Sequence, residues 1–197
     1  TLPTFMQRQI LAFFGYQDYT LTGRTCHYLH ARWTEAMKDH HMTGTLFVPN
    51  ENCETLKEAV NRVKEDERLT TIVLGKGEHV VEVSHTIFGS DCNDLEIPSA
   101  MHIVGDPGVP KEEIVVVGGI QFNKEIPGNC HLQHLTLRQA KGSGVEGWSS
   151  FTMEDVLVEQ CGHGVLAIGT VVVVRCTNVE VRQCGGSGVA AYNGASI

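Results

Sequence analysis

The sequence predicts a mostly β chain. A right-handed, single-stranded parallel β-helix is expected over residues 45–197, behind a small α-helical module at 1–44, with a capping helix at about 53–66. Three observations carry this: a repeat of about 22 residues in the last third, short β-rich runs punctuated by Gly and Pro from Thr71 onward, and helical periodicity confined to the first 66 residues.

The repeat is read from LQHLTLRQAKGSGV (132–145), MEDVLVEQCGHGV (153–165) and CTNVEVRQCGGSGV (176–189). The anchors Leu137, Val158 and Val181 give periods of 21 and 23 residues. Around them the columns keep their chemistry: Leu135, Val156, Val179; Leu132, Met153, Cys176; Gln139, Gln160, Gln183; Ala140, Cys161, Cys184. Leucine-rich repeats share the length, but their Leu-x-x-Leu-x-Leu and Asn pattern is missing. Three short strands per turn, stacked ~4.8 Å apart through parallel ladders, place like residues in inward columns. The glutamines fit an amide ladder or solvated bends, and the closing Gly144-Val145, Gly164-Val165 and Gly188-Val189 fit tight bends.

Upstream, TIVLGKGEHVVEV, LEIPSAMHIVGDPG and EIVVVGGIQF read as the opening turns of the same solenoid. This part resembles pectin-lyase-like and CASH-type β-helices, a likeness that spans about 45–197 and implies architecture rather than activity. In the helix at 53–66, Leu56, Ala59, Val60 and Val63 form an apolar stripe, with Lys57, Glu58, Arg62 and Lys64 facing water. Such a helix plugs the end of a solenoid, where strand edges are otherwise open. The chain stops at Ile197 inside a repeat, so further turns are expected beyond it.

Residues 2–40 read as three short helices. Pro3 suits a first helical position, Phe5, Met6, Ile10, Leu11, Phe13 and Phe14 recur at helical spacing, and Gly15 stops the run. Asp18 suits the N-cap of a second helix, and Cys26, Leu29, Trp33 and Met37 share one face of a third. The stretch LPTFMQRQILAFFGYQDYTLTGRTCHYLHARW resembles an F-box. That resemblance implies a non-enzymatic receptor subunit of a cullin-type ubiquitin ligase, holding a Skp-type adaptor through residues 2–33 while the β-helix face takes a protein substrate. The matching positions are Leu2, Pro3, Ile10, Leu11, Phe14, Tyr19, Cys26, Leu29 and Trp33. A helical cap sealing the next domain is the alternative reading of the same residues.

Charge narrows the classes. With 15 Lys and Arg against 23 Asp and Glu, the formal charge is −8, which argues against a nucleic-acid footprint. No apolar run reaches the ~18–20 residues of a membrane span. Seven cysteines without a CxxC pair point to reduced thiols and a cytoplasmic or nuclear protein.

The sequence lacks a complete catalytic constellation. QCGHGV (160–165) carries the GHG triplet of pectin-hydrolysing β-helices, but the paired upstream carboxylates and downstream Arg-x-Lys of those enzymes are missing. His163 also shares a column with Ser143 and Ser187, which marks a variable turn position. Glu154 and Asp155 are not matched by acids in the neighbouring turns, which carry Gln133-His134 and Thr177-Asn178, and Arg138, Glu159 and Arg182 read as an exposed inter-turn ion pair worth under ~1 kcal/mol. His131 and His134 lie on opposite sides of a strand, so neither they nor His40-His41 make a metal site. GDPG (105–108) lacks the Lys and Ser or Thr of a phosphate loop and reads as a turn. No catalytic, cofactor or metal site is therefore expected. A polysaccharide-binding or polysaccharide-cleaving β-helix and a structural subunit of a larger assembly remain as alternatives.

Overall fold

The computed structural model describes residues 44–85 and 91–197, and among these strand β1 (Thr45–Val48) comes first. The helical module expected at 1–44, with its nine F-box-like positions, lies outside the described residues up to position 43. Helix α1 (Leu56–Glu65) follows, then β2 (Thr71–Leu74), β3 (Gly77–Val80), the short antiparallel pair β4 (Ser84–His85) and β5 (Asp91–Cys92), and β6 (Asp94–Ile97). The next turn holds β7 (His102–Gly105), β8 (Ile114–Val117) and β9 (Gly119–Phe122). Beyond it come β10 (Cys130–Arg138), β11 (Ser143–Gly147), β12 (Phe151–Glu159), β13 (His163–Ile168), β14 (Val174–Thr177), β15 (Glu180–Arg182) and β16 (Val189–Tyr192).

These strands stack into a parallel β-solenoid with three ladders. The first runs β1-β2-β7-β10-β12-β14. The second joins β3, β8, the later halves of β10 and β12, and β15. The third runs β6-β9-β11-β13-β16. Each ladder carries an inward column in register: Ile72, Ile103, Leu132, Met153, Cys176 on the first; His79, Val116, Leu137, Val158, Val181 on the second; Leu95, Ile120, Val145, Val165, Val189 on the third. Away from the last turn the apolar members are buried, and each fully buried aliphatic side chain is worth ~1.5–3 kcal/mol. Phe122 and Phe151 stack inside with ring centroids 4.7 Å apart.

One expected boundary shifts. The helix begins at Leu56 rather than 53, because the Thr55 side chain caps it by accepting the Glu58 amide at 3.2 Å. Cys53 instead sits buried in a bridge with Asn50. Strand β1, inside the 45–197 expected for the β-helix, joins the first ladder ahead of the helix and of the β-rich runs that start at Thr71. The stripe Leu56, Ala59, Val60 and Val63 is buried as expected, and α1 packs on β2.

The bends differ from the expectation in a more instructive way. In each late turn two non-glycine residues adopt left-handed backbone: His134, Asp155 and Asn178 (φ 53°, 54° and 52°), then Gln139, Gln160 and Gln183 (φ 57°, 55° and 55°). His, Asp and Asn tolerate this region better than other side chains do. The two sets lie five residues apart, so each turn spells a His, Asp or Asn, four residues, then Gln. They form two stacked corners. Gly144 and Gly164 of the G-x-G-V closures serve close approach rather than bending: at Gly164 a Cβ would overlap the Gly188 carbonyl and Val181 Cγ1. Of the expected glutamine ladder, one rung is present, Gln160 Nε2 donating to Gln183 Oε1 at 3.3 Å.

Between β7 and β8 the first corner is replaced by an excursion, residues 106–113. It opens with a turn in which Asp106 Oδ1 accepts the Gly108 amide at 2.8 Å, as GDPG predicted, and ends in a 3-10 turn, Lys111–Glu113. The excursion packs on β8, β10 and β12, and the outward-facing Val115, Thr136 and Leu157 are buried on that side.

Burial disfavours the charged form of three histidines. His79 occupies a core position with Nε2 2.9 Å from the Gly75 carbonyl, so that nitrogen carries the proton. His102 and His131 meet edge to face in adjacent turns, centroids 5.7 Å apart. All three have lowered pKa values, caused first by desolvation; His131 adds repulsion at His102. Above the ordinary histidine pKa of ~6.5 their contribution to stability is fully present. As pH falls below it the unfolded chain takes up protons that the fold refuses, and stability drops until the lower folded values are passed. Thermal unfolding at about pH 7.5 and about pH 5.5 is expected to show the loss, smaller in His102→Gln/His131→Gln. A midpoint that does not fall on acidification would contradict it.

Candidate functional site

The densest polar cluster sits on the first corner, where β10, β12, the residue after β14 and the excursion meet. Asp155 is its centre. Its Oδ1 accepts from Lys111 Nζ at 2.8 Å and from Asn178 Nδ2 at 2.6 Å, and its Oδ2 lies 2.7 Å from His134 Nδ1. His134 Nε2 lies 2.8 Å from the Val109 carbonyl, and Thr136 Oγ1 donates to the Lys111 carbonyl at 2.9 Å. The Lys111, His134 and Asp155 side chains are only 17–18% exposed, so these contacts act with little screening. Burial alone would raise the Asp155 pKa. The hydrogen bonds and charges of Lys111 and His134 overcome it, and the carboxyl stays below its usual range.

Chain geometry explains the meeting. The left-handed residue ends the first-ladder half of each strand and throws its side chain outward at the edge, so successive turns stack His134, Asp155 and Asn178. Glu154, by contrast, lies on the strand side of the corner, opposite Gln133. His131 turns to Thr152, with Nδ1 2.6 Å from its hydroxyl, while His134 meets Asp155. The stacking of residues 134, 155 and 178 and the arrival of Lys111 were not foreseen. The regular five-residue offset from the glutamines was the available signal.

A second column corrects the sequence reading outright. Arg138, Glu159 and Arg182 stack as expected, but Glu159 is buried, with its side chain 9% exposed, rather than sitting in an exposed ion pair. Arg182 donates to Glu159 Oε2 from Nε at 3.0 Å and Nη2 at 2.8 Å. Arg138 Nε lies 3.4 Å from Glu159 Oε1, within ion-pair reach but outside hydrogen-bond geometry, and is itself buried.

His163 of the GHG triplet pairs with Ser143 in register, half-buried, and its Nδ1 accepts the Ser187 amide at 3.0 Å. That bond ties two turns together. On the third ladder, Glu146 accepts from Trp148 Nε1 at 2.8 Å and from the Ser143 hydroxyl at 3.3 Å, while Lys124 lies 5.0 Å from the Trp148 ring centre. A groove of about 300 Å³ between α1 and the first turn is lined by Lys57, Lys64, Glu82, Asp94 and Glu96. Asp94 Oδ1 is buried there without a hydrogen-bond partner, and burial, then Glu146, raises its pKa.

Chemically, these groups bind one another. Both ring nitrogens of His134 are occupied, and the Glu159 carboxylate is claimed by two guanidinium groups. Among the described residues no three His, Cys, Asp or Glu side chains are grouped to hold a metal ion. Nor is any helix among them long and apolar enough to cross a membrane. The described cysteines are free: Cys53, Cys130 and Cys161 are buried, burial pushing the Cys161 thiol up to about 11, whereas Cys176 is exposed. The nine F-box-like positions and His40-His41 fall outside the described residues. No protein-family model, no curated protein and no solved structure matches the chain.

Proposed function

We propose that the chain is a macromolecular recognition subunit, in which residues 2–33 engage a Skp-type adaptor and the lateral surface of the solenoid takes a protein substrate. The observation that carries this reading is the closure of the lateral polar groups into inter-turn networks, at Asp155 and at Glu159. Groups held in this way shape and rigidify a surface; they are not poised to exchange protons with a substrate. A rigid, repetitive lateral face suits binding of another macromolecule. The F-box resemblance supplies the adaptor, and the free thiols suit the reducing cytoplasm or nucleus in which such ligases work.

Co-purification with a Skp-type adaptor tests it. Leu11→Asp or Trp33→Ala is expected to abolish capture while the β-sheet circular dichroism of the solenoid stays unchanged. Failure of the unmodified protein to bind the adaptor by pull-down and by calorimetry would defeat the adaptor assignment. Cleavage of polygalacturonate that is lost in His163→Ala would replace the whole reading with an enzymatic one.

A further inference from the structure

We propose that Cys161 and Cys184 are a site of reversible oxidation, at which a hydroperoxide converts Cys184 to a sulfenic acid and Cys161 closes it into a disulfide between adjacent turns. The inference is independent of what the protein binds. It starts from register. Val158 pairs with Val181 and Glu159 with Arg182. The pairing continues past the strands, where Gln160 Nε2 donates to Gln183 Oε1 and the Gly185 amide donates to the Cys161 carbonyl at 2.9 Å. Cys161 and Cys184 therefore stack directly, one turn above the other. Parallel neighbours stand ~4.7–4.9 Å apart, inside the ~4.4–6.8 Å between α-carbons that a disulfide spans.

The two thiols are held alike. Cys161 Sγ donates to the Glu159 carbonyl at 3.2 Å and Cys184 Sγ to the Arg182 carbonyl at 3.6 Å, each two residues back. Thiols are weak donors, so turning either sulfur toward the other gives up little. Cys176, the other cysteine of the last turn, pairs with Met153 on the first ladder instead. Exposure divides the roles. Cys161 is 4% exposed, and burial, then the nearby Cys184, push its thiol up to about 11, so it holds almost no thiolate at neutral pH. Cys184 is half-buried and open to a small oxidant.

Cys184 sulfur attacks one peroxide oxygen, the O–O bond breaks, and the other oxygen leaves as an alcohol or water with the thiol proton. Cys161 sulfur then attacks the Cys184 sulfur. The S–O bond breaks, and the hydroxyl leaves as water with the proton of the Cys161 thiol. Together the thiols lose two electrons and two protons, which the hydroperoxide takes up. Close stacking offsets the small thiolate fraction of Cys161, because the attack is within one chain. The bond closes the 23-residue turn between the two cysteines. Cys184 lies between β15 and β16, so its attachment to Cys161 pins both strands to the turn before them.

Peptide mapping of the whole chain tests this, because trypsin separates the three cysteines of the last turns into 142–175, 176–182 and 183–197. The reduced chain is treated with hydrogen peroxide, blocked at its remaining thiols with iodoacetamide and digested without reduction. Peptide 142–175 is expected joined to 183–197, with 176–182 carrying a blocked thiol, and dithiothreitol should separate the pair. Cys161→Ser should leave Cys184 as a sulfenic acid that dimedone captures, and Cys184→Ser should leave Cys161 unoxidised. In the oxidised native chain, exchange of the Glu180–Arg182 and Val189–Tyr192 amides should slow by about tenfold. Peptide 142–175 recovered unlinked, Cys184 joined to any other cysteine, or a linkage that leaves these amides unchanged would overturn the proposal. Should either variant fail to fold, the peptide map and the exchange of the native chain still decide it.

Discussion

Replacing Gly164 with Ala is expected to cost about 3 kcal/mol and to detach the last turn, because the added methyl has no room to enter. A Cβ at this position would overlap the carbonyl of Gly188 and Cγ1 of Val181, both in the following turn. The same two turns are joined there by Gly164 N to Ser187 O and Val165 N to Gly188 O, each at 2.9 Å. Backbone cannot retreat from the methyl without lengthening these bonds, so the strain falls on the ladder itself. Gly185→Ala is the matched control. The nearest atom to its Cβ is the Gly162 carbonyl oxygen at 3.6 Å, an ordinary contact. There the loss of unfolded-chain freedom should leave stability unchanged or raised by up to ~1 kcal/mol. Chemical denaturation of both variants checks the contrast, with exchange of the Val189–Tyr192 amides reporting the last turn. Equal midpoints would mean that the glycine column exists for bending after all.

How much of this was legible depended on which force fixed each feature. The inward columns were readable because burial repeats the same demand in every turn: Leu137, Val158 and Val181 align in the sequence and meet in the second ladder. The buried stripe of α1 was readable for the same reason. Corners were half readable. Gln139, Gln160 and Gln183 announced themselves by identity, but His134, Asp155 and Asn178 share only tolerance of left-handed backbone, which unlike residues can satisfy. Core position His79 gave no signal, since its neighbours in the column are Val116 and Leu137 and a polar residue there reads as outward. Lys111 was illegible for another reason. It reaches Asp155 across 44 residues from a single non-repeating excursion, and periodicity says nothing about a segment that occurs once. The networks at Asp155 and Glu159 thus combine stacked members, visible as columns, with burial and a distant arm that only the folded chain brings together.

Glu159 is where that difference has its largest consequence for stability. As an exposed pair it would contribute under ~1 kcal/mol, but its side chain is 9% exposed and lies between two arginines. Glu159→Ala is expected to cost about 3 kcal/mol, because it leaves the buried Arg138 Nε with no counter-charge while opening a void beside β12. Glu159→Gln should fall between, since an amide oxygen still accepts from Arg182 but the charge is gone. Arg182→Ala should cost less than Glu159→Ala, because Arg182 is half exposed and Arg138 still neutralises the carboxylate. Salt separates the two regimes further: an exposed pair weakens over a Debye length of ~8–10 Å at moderate ionic strength, whereas the buried contact is screened little. The measured cost of Glu159→Ala should therefore change little when salt is raised. Replacing Arg138, Glu159 and Arg182 together by Met, Leu and Met is expected to restore most of the loss, since removing all the charges also removes their desolvation. If Glu159→Ala alone proves neutral, the column is surface decoration; if the triple variant proves as unstable as the single, the ion pairs themselves hold these turns in register.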